Sequence, residues 1–192
     1  MNTNLLKNIY RHQLLTEIDL QTIVAAHQKI SVPKGTFLLE EGQIANAYFI
    51  MESGLARSFV HDFDRNDITT NFFTTNEIVI EVSSLFQRIP TQENIQSLTD
   101  CSCWKIDYDT FQQLFHSIEG FREWGRAWMA NSLFELKKRS VAMVLDSATT
   151  RYQRLTNEKP EVLKYAPLKC VASYLGITDS SLSRIRKDIA KS

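Results

Sequence analysis

The chain has 192 residues, 43% apolar and 23% charged, the composition of an ordinary soluble globular protein with room for one well-filled domain or two small ones. No apolar run approaches the ~18 residues that a membrane span needs. Net charge is zero but unevenly spread: residues 1–136 carry 10 Lys+Arg against 17 Asp+Glu, net −7, and residues 137–192 carry 12 against 5, net +7, the asymmetry of a polyanion-binding part joined to something else.

The opening MNTNLLKNIYRHQLL lacks the charged start, apolar middle and small-residue cleavage site of a secretory signal, so a cytoplasmic protein is expected. Over residues 5–28, Leu5, Ile9, Leu14, Leu15, Ile18, Ile23 and Val24 are spaced for apolar helix faces. From Lys29 the texture changes to short apolar runs, separated by Pro33-Lys34-Gly35, Glu41-Gly42-Gln43, Glu52-Ser53-Gly54 and an acidic loop from Asp62 to Asp67. Short strands at near-regular spacing with turn signals predict a β-sandwich or barrel, with Gly35, Gly42 and Gly54 at corners that need positive φ. Cys101 and Cys103 share one face of a strand. With Cys170 they make an odd number, and no Cys or His pair elsewhere completes a metal site around them. They are read as packing thiols in a reducing compartment, with no metal and no cofactor.

After Tyr108 the pattern is helical again, and no proline interrupts it from Phe121 to Leu145. Phe121, Trp124 and Trp128 line one stripe, and Met129, Leu133 and Leu136 line another well over a quarter-turn away. The first stripe can pack on the barrel. The second needs a further partner, and a matching helix from a second subunit is the economical choice. SATTRYQRLTNEKPEV then reads as a shorter helix ending near Asn157, with Pro160 as its stop.

The final stretch, VASYLGITDSSLSRIRKDIAKS, reads as two short helices joined by a turn at Gly176. Thr178 is a suitable N-cap for the second helix, with Asp179 favourable at its positive end. Leu182, Ile185 and Ile189 would hold that helix on the first, so that Asp179, Ser180, Ser183, Arg184 and Lys187 project outward. Small residues at the start of such a helix admit its backbone to the major groove of double-stranded DNA. Arg184 can there reach guanine O6/N7, a contact worth roughly 1–3 kcal/mol of discrimination. Arg186, Lys187 and Lys191 suit phosphates, which position without specifying. The expected division is a β-rich domain over 1–116, a long dimer helix over 117–145 and a DNA-binding domain over 146–192. A homodimer would present two reading helices one turn of DNA apart, to a roughly palindromic operator.

This order of parts resembles the Crp/Fnr superfamily of bacterial transcription regulators, in a looser, Bacteroidetes-like style. VPKGTFLLEEGQ, AYFIMESGLARSF, EVSSLFQRIPTQENIQSLTDCSCWKIDYDTF and VASYLGITDSSLSRIRK fall in the family's order and spacing over nearly the whole chain. The resemblance implies an α+β protein: an N-terminal cyclic-nucleotide-binding-like jelly roll (a double-stranded β-helix), a long dimer helix and an all-α helix-turn-helix domain. It also implies base-edge contacts at Asp179, Ser180 and Arg184.

The sequence departs from the family pattern in two places. In the family's cyclic-AMP cassette a Gly-Glu pair opens a short helix, and an Arg-Ser pair about ten residues on holds the cyclic phosphate. Here Glu81 matches the Glu, Ile80 replaces the Gly, and Thr91 and Gln92 stand where Arg and Ser are expected. A charge-assisted hydrogen bond is worth ~1.5–3 kcal/mol, so losing that Arg lowers affinity about ten- to a hundredfold and leaves an anion without a countercharge. Tight cyclic-AMP binding is not expected from Glu81, Thr91 and Gln92. The alternative is a genuine cyclic-nucleotide sensor in which Arg88, three residues away, replaces the anchor. An effector of another kind also stays open. The second departure concerns the β-hairpin wing found after the recognition helix in many relatives; none is present before Ser192, so other basic residues are expected to supply its phosphate contacts. The N-terminal cysteine cluster of iron–sulfur members is not in the sequence either.

A cupin-type enzyme would share the jelly-roll texture but needs several His and a Glu converging on a metal. His61 alone lies among the strands, in a charged loop, while His12, His27 and His116 fall in helical stretches. No catalytic residues are assigned, and a non-enzyme is expected. A protein-interaction module using the C-terminal helices is the remaining competitor, separable by the salt dependence of DNA binding.

Overall fold

A computed structural model describes residues 4–190. The N-terminal helical stretch is two helices, α1 (Asn4–Ile9) and α2 (Glu17–Ala25). Thr16 restarts the helix with a capping box: its hydroxyl accepts from Asp19 N at 3.2 Å, while the Asp19 carboxylate accepts from Thr16 N at 3.0 Å. In consequence Leu14 and Ile18, read from spacing as apolar-face residues, are exposed.

The strands are β1 (Gln28–Val32), β2 (Phe37–Leu39), β3 (Ala47–Ser53), β4 (Ala56–His61), β5 (Asp67–Phe73), β6 (Ile78–Val79), β7 (Asn94–Ser97) and β8 (Cys101–Asp107), with the short helix α3 (Val82–Gln87) before β7. They form two antiparallel four-stranded sheets, ordered β1-β8-β3-β6 and β2-β7-β4-β5, which close face to face as the expected jelly roll. Tyr48, Phe49, Ile50 and Met51 on β3 are all buried, because one face of that sheet meets the other sheet and helices cover its back. A doubly covered strand reads as a continuous apolar run instead of an alternating one. Gly35, Gly42 and Gly54 all have positive φ, and Cys101 and Cys103 are free, buried thiols beside β3.

Next come α4 (Tyr108–Ser117) and α5 (Glu119–Leu145), the latter 27 residues long. Phe121 and Trp124 pack into the roll, and Trp124 Nε1 donates to Ile9 O at 2.8 Å. Of the second apolar stripe, Met129 is half-buried beside Trp124 and Trp128, whereas Leu133 and Leu136, with the neighbouring Phe134, are 67%, 63% and 64% exposed. Four shorter helices close the fold: α6 (Ala148–Glu158), α7 (Pro160–Tyr165), α8 (Leu168–Tyr174) and α9 (Asp179–Ile189). Pro160, expected as a stop, also opens α7 from its first turn, where its missing N–H has no helical partner to lose. Leu155, Val162, Val171, Ala172, Leu175 and Leu182 form the buried core of this part, and Phe72 from β5 joins it. Among the described residues no helix is long and apolar enough to cross a membrane.

Candidate functional site

The helix pair α8–α9 is built as a turn-linked unit. Gly176 takes φ 67°, and Ile177 N closes the turn onto Ala172 O at 3.0 Å. Thr178 caps α9, its hydroxyl accepting from Ser181 N at 3.3 Å. Leu182 is fully buried, and Ile185 and Ile189 are half-buried, so the side of α9 that faces α8 is apolar. The opposite side is open: Thr178, Asp179, Ser180, Ser183, Arg184, Arg186 and Lys187 are all exposed. Among the described residues the side chains of Arg184, Arg186 and Lys187 make no hydrogen bond or ion pair. Lys191 lies outside the described residues. The arrangement is a helix with a small polar start, with the unengaged cations Arg184 and Lys187 on the face away from α8 and Arg186 on its flank, able to approach a polyanion without first breaking internal contacts.

This unit is attached to the jelly roll along the edge strand β5. Thr69 N donates to Ser173 Oγ at 3.1 Å. Lys159 Nζ donates to Phe72 O at 2.5 Å and pairs with Glu77 at 2.7 Å. Arg57, buried on β4, donates to Asp67 at 2.7 Å and to Cys170 Sγ on α8 at 3.2 Å. Arg139 on α5 donates to Thr70 O and to Tyr174 O, and its guanidinium lies 4.0 Å from the Tyr174 ring centroid. At the junction of α5 and α6, Arg151 donates to Asp146 O at 2.6 Å and to Leu175 O at 2.9 Å.

The cassette expected to hold an effector is built around the short helix α3. Glu81 caps α3, accepting from Ser83 N at 3.2 Å and Ser84 N at 2.5 Å. Arg88 sits at the end of α3 with φ 56°. Its guanidinium donates to Ala45 O and to Asn46 Oδ1, each at 2.5 Å, and stacks 4.0 Å from the Tyr108 ring centroid. Thr91 is buried, its hydroxyl accepting from Glu93 N at 2.9 Å and donating to Glu93 O. Gln92 is exposed. Arg88 and Thr91 are thus engaged with other protein groups, and Gln92 faces outward.

Sequence reasoning missed Glu93 and Arg139. Burial raises the Glu93 carboxyl above its ordinary range; a hydrogen bond from Thr70 opposes this, the Glu81 charge adds to it, and the Arg139 charge opposes it. Glu93 comes two residues after Thr91 and could have been noticed as an acid inside the cassette. Nothing in the sequence puts Arg139, on the long helix, beside it.

Residues 29–117 match the cyclic nucleotide-binding domain family. The cAMP-dependent protein kinase regulatory subunit of Candida albicans is 26% identical over 117 residues, 61% of this chain and 24% of its own length; the chain thus spans about a quarter of that curated relative. Among solved structures, the c-di-GMP-responsive global regulator CLP of Xanthomonas campestris superposes with a TM-score of 0.70 at 16% identity, covering 92% of both chains. A transcriptional regulator of the Crp/Fnr family from Eubacterium rectale superposes with a TM-score of 0.71 at 14% identity, covering 92% of this chain and 84% of that one. In fold the chain is Crp/Fnr-like, and the proteins it resembles are regulatory ones.

Proposed function

We propose that the chain is a DNA-binding transcription regulator of the Crp/Fnr type, acting as a homodimer in the cytoplasm and without tight affinity for cyclic AMP. The observation that carries this reading is the open face of α9. Asp179, Ser180, Ser183 and Arg184 line its exposed side, and no protein contact among the described residues holds the cations of Arg184, Arg186 and Lys187. Arg184 is assigned to a guanine edge, where bidentate pairing discriminates bases. Thr178 supplies the cap, and Arg186, Lys187 and Lys191 are assigned to phosphates. The sensor, dimer-helix and DNA-binding parts are assigned to residues 1–116, 117–145 and 146–192. No reaction is assigned to the chain.

Selection of duplexes from a random pool tests this reading. A roughly palindromic consensus is expected, with Arg184→Ala relaxing base preference at one position in each half-site. Equal loss of affinity on every sequence would remove the base-reading role from Arg184.

The match over residues 29–117 favours a second reading, that of a cyclic-nucleotide sensor. Against it stand the engaged guanidinium of Arg88, the internally bonded Thr91 and the half-buried Glu93. Calorimetric titration of cyclic AMP separates the two readings.

A further inference from the structure

Antiparallel pairing of β4 with β5 shifts register between Ser58 and Phe59: Ser58 faces Asn71 and Phe59 faces Thr69. Thr70 is therefore the extra residue of a β-bulge on the sheet's outermost strand. Its hydroxyl meets Ser58 Oγ at 2.7 Å, and its carbonyl accepts from Arg139. The other arm of that guanidinium donates to Tyr174 O at 3.3 Å, and its plane lies over the Tyr174 ring. Tyr174 ends α8, two residues before the Gly176 turn that launches α9, and its ring also packs 5.1 Å from Phe72 of β5. One half-buried side chain thus touches the three bodies whose relative placement decides where α9 points: the long helix, the edge of the sensor roll and the first helix of the pair. A guanidinium is suited to this, because its planar fork fixes several directions at once.

We propose that Arg139 is a positioning residue for DNA binding: it sets the orientation of α8–α9 relative to α5, and hence the separation of the two reading helices in a dimer. The inference rests on the dimeric DNA-binding reading above. The open face of α9 is exposed while α8 is docked, so docking orients that face without covering it. Orientation matters only when two half-sites are engaged together, since the second contact gains from the first only if the geometry allows both.

The test uses the full chain and duplexes of ~30 base pairs carrying either one or two half-sites of the selected operator. Arg139→Gln is expected to lower affinity for the two-half-site duplex about tenfold or more while changing the one-half-site duplex less than about twofold. Arg139→Lys, which keeps the charge but not the fork, should recover part of the loss. Lys159→Ala, which loosens the same strand edge at Phe72 O without touching α5, should produce the same split in weaker form, and circular dichroism should show all three variants folded. Equal losses on both duplexes, or wild-type affinity on both, would overturn the assignment to Arg139. Failure of the wild-type chain to prefer two half-sites over one would instead overturn the dimeric reading beneath it.

Discussion

Arg88 and Tyr108 form a cation–π pair, the guanidinium carbon 4.0 Å from the ring centroid, while the same guanidinium reaches Ala45 O and Asn46 Oδ1 at 2.5 Å. A cation held by three partners ties the end of α3 to the β2–β3 connection and to the start of α4. To serve a phosphate it would have to release all three.

Titration of cyclic AMP in low-phosphate buffer should accordingly give no micromolar binding. Arg88→Ala should leave that result unchanged and reduce unfolding free energy by about 1–3 kcal/mol through the lost hydrogen bonds and ring contact. Micromolar binding that disappears in Arg88→Ala would mean that Arg88 leaves Tyr108 to take the ligand.

The exposed stripe of α5 predicts an association surface. Leu133, Phe134 and Leu136 bury little in one chain, and each such side chain is worth roughly 1.5–3 kcal/mol when removed from water. Sedimentation should find the wild-type chain dimeric and the double variant Leu133→Glu, Phe134→Glu monomeric but folded. A dimer that survives both charges would place the interface elsewhere.

A buried relay links the N-terminal helices to the roll. His27 Nδ1 donates to Ile23 O at 2.7 Å, its Nε2 accepts from Tyr10 OH at 2.8 Å, and Tyr10 OH accepts from Tyr48 OH at 2.7 Å. Burial pulls the His27 pKa down to about 4, against a weaker opposing effect of the Ile23 carbonyl. The unfolded chain, with an ordinary value near ~6.5, therefore takes up the proton first. Stability from this group is complete above pH ~6.5 and is lost as pH falls toward ~4, by up to about 3 kcal/mol. Urea unfolding across that window should show the loss, and His27→Gln should flatten it. An unchanged slope in the variant would assign the acid sensitivity to other groups.

Gly54 predicts a local intolerance. Its φ is 104°, and a Cβ there would lie 2.7 Å from Asp100 O and 2.6 Å from Cys101 Sγ. The backbone oxygen cannot swing away as a side-chain tip can. Gly54→Ala should thus destabilise the roll by about 2 kcal/mol or more, from strained φ plus the clash. Thermal unfolding within about 1 °C of wild type would contradict it.

Much of this was legible in the sequence, and the reasons are specific. Strand and turn alternation gave away the roll because Gly35, Gly42 and Gly54 sit where positive φ is needed. The helix pair was legible because its signals are local: Thr178 caps, Gly176 turns, and Leu182 packs within one short stretch. The break between α1 and α2 was missed because Leu14 and Ile18 keep an apolar spacing that the Thr16–Asp19 box overrides. Arg139 and Lys159 were invisible as clasps because each reaches a backbone carbonyl of β5, 69 and 87 residues away in sequence, and a carbonyl leaves no mark in a sequence. Glu93 was overlooked since its character comes from burial beside Glu81 and Arg139, which spacing does not reveal.

Whether the open face of α9 meets DNA is decided by fluorescence anisotropy of a labelled duplex with the full chain over a range of salt concentrations. Affinity is predicted to fall log-linearly with salt, by close to one unit of slope for each neutralised phosphate. Lys187→Ala should reduce that slope by about one, alike on all sequences. Absence of binding at low salt, or binding indifferent to salt and to Lys187, would contradict DNA recognition by α9 and turn the C-terminal helices toward a protein partner.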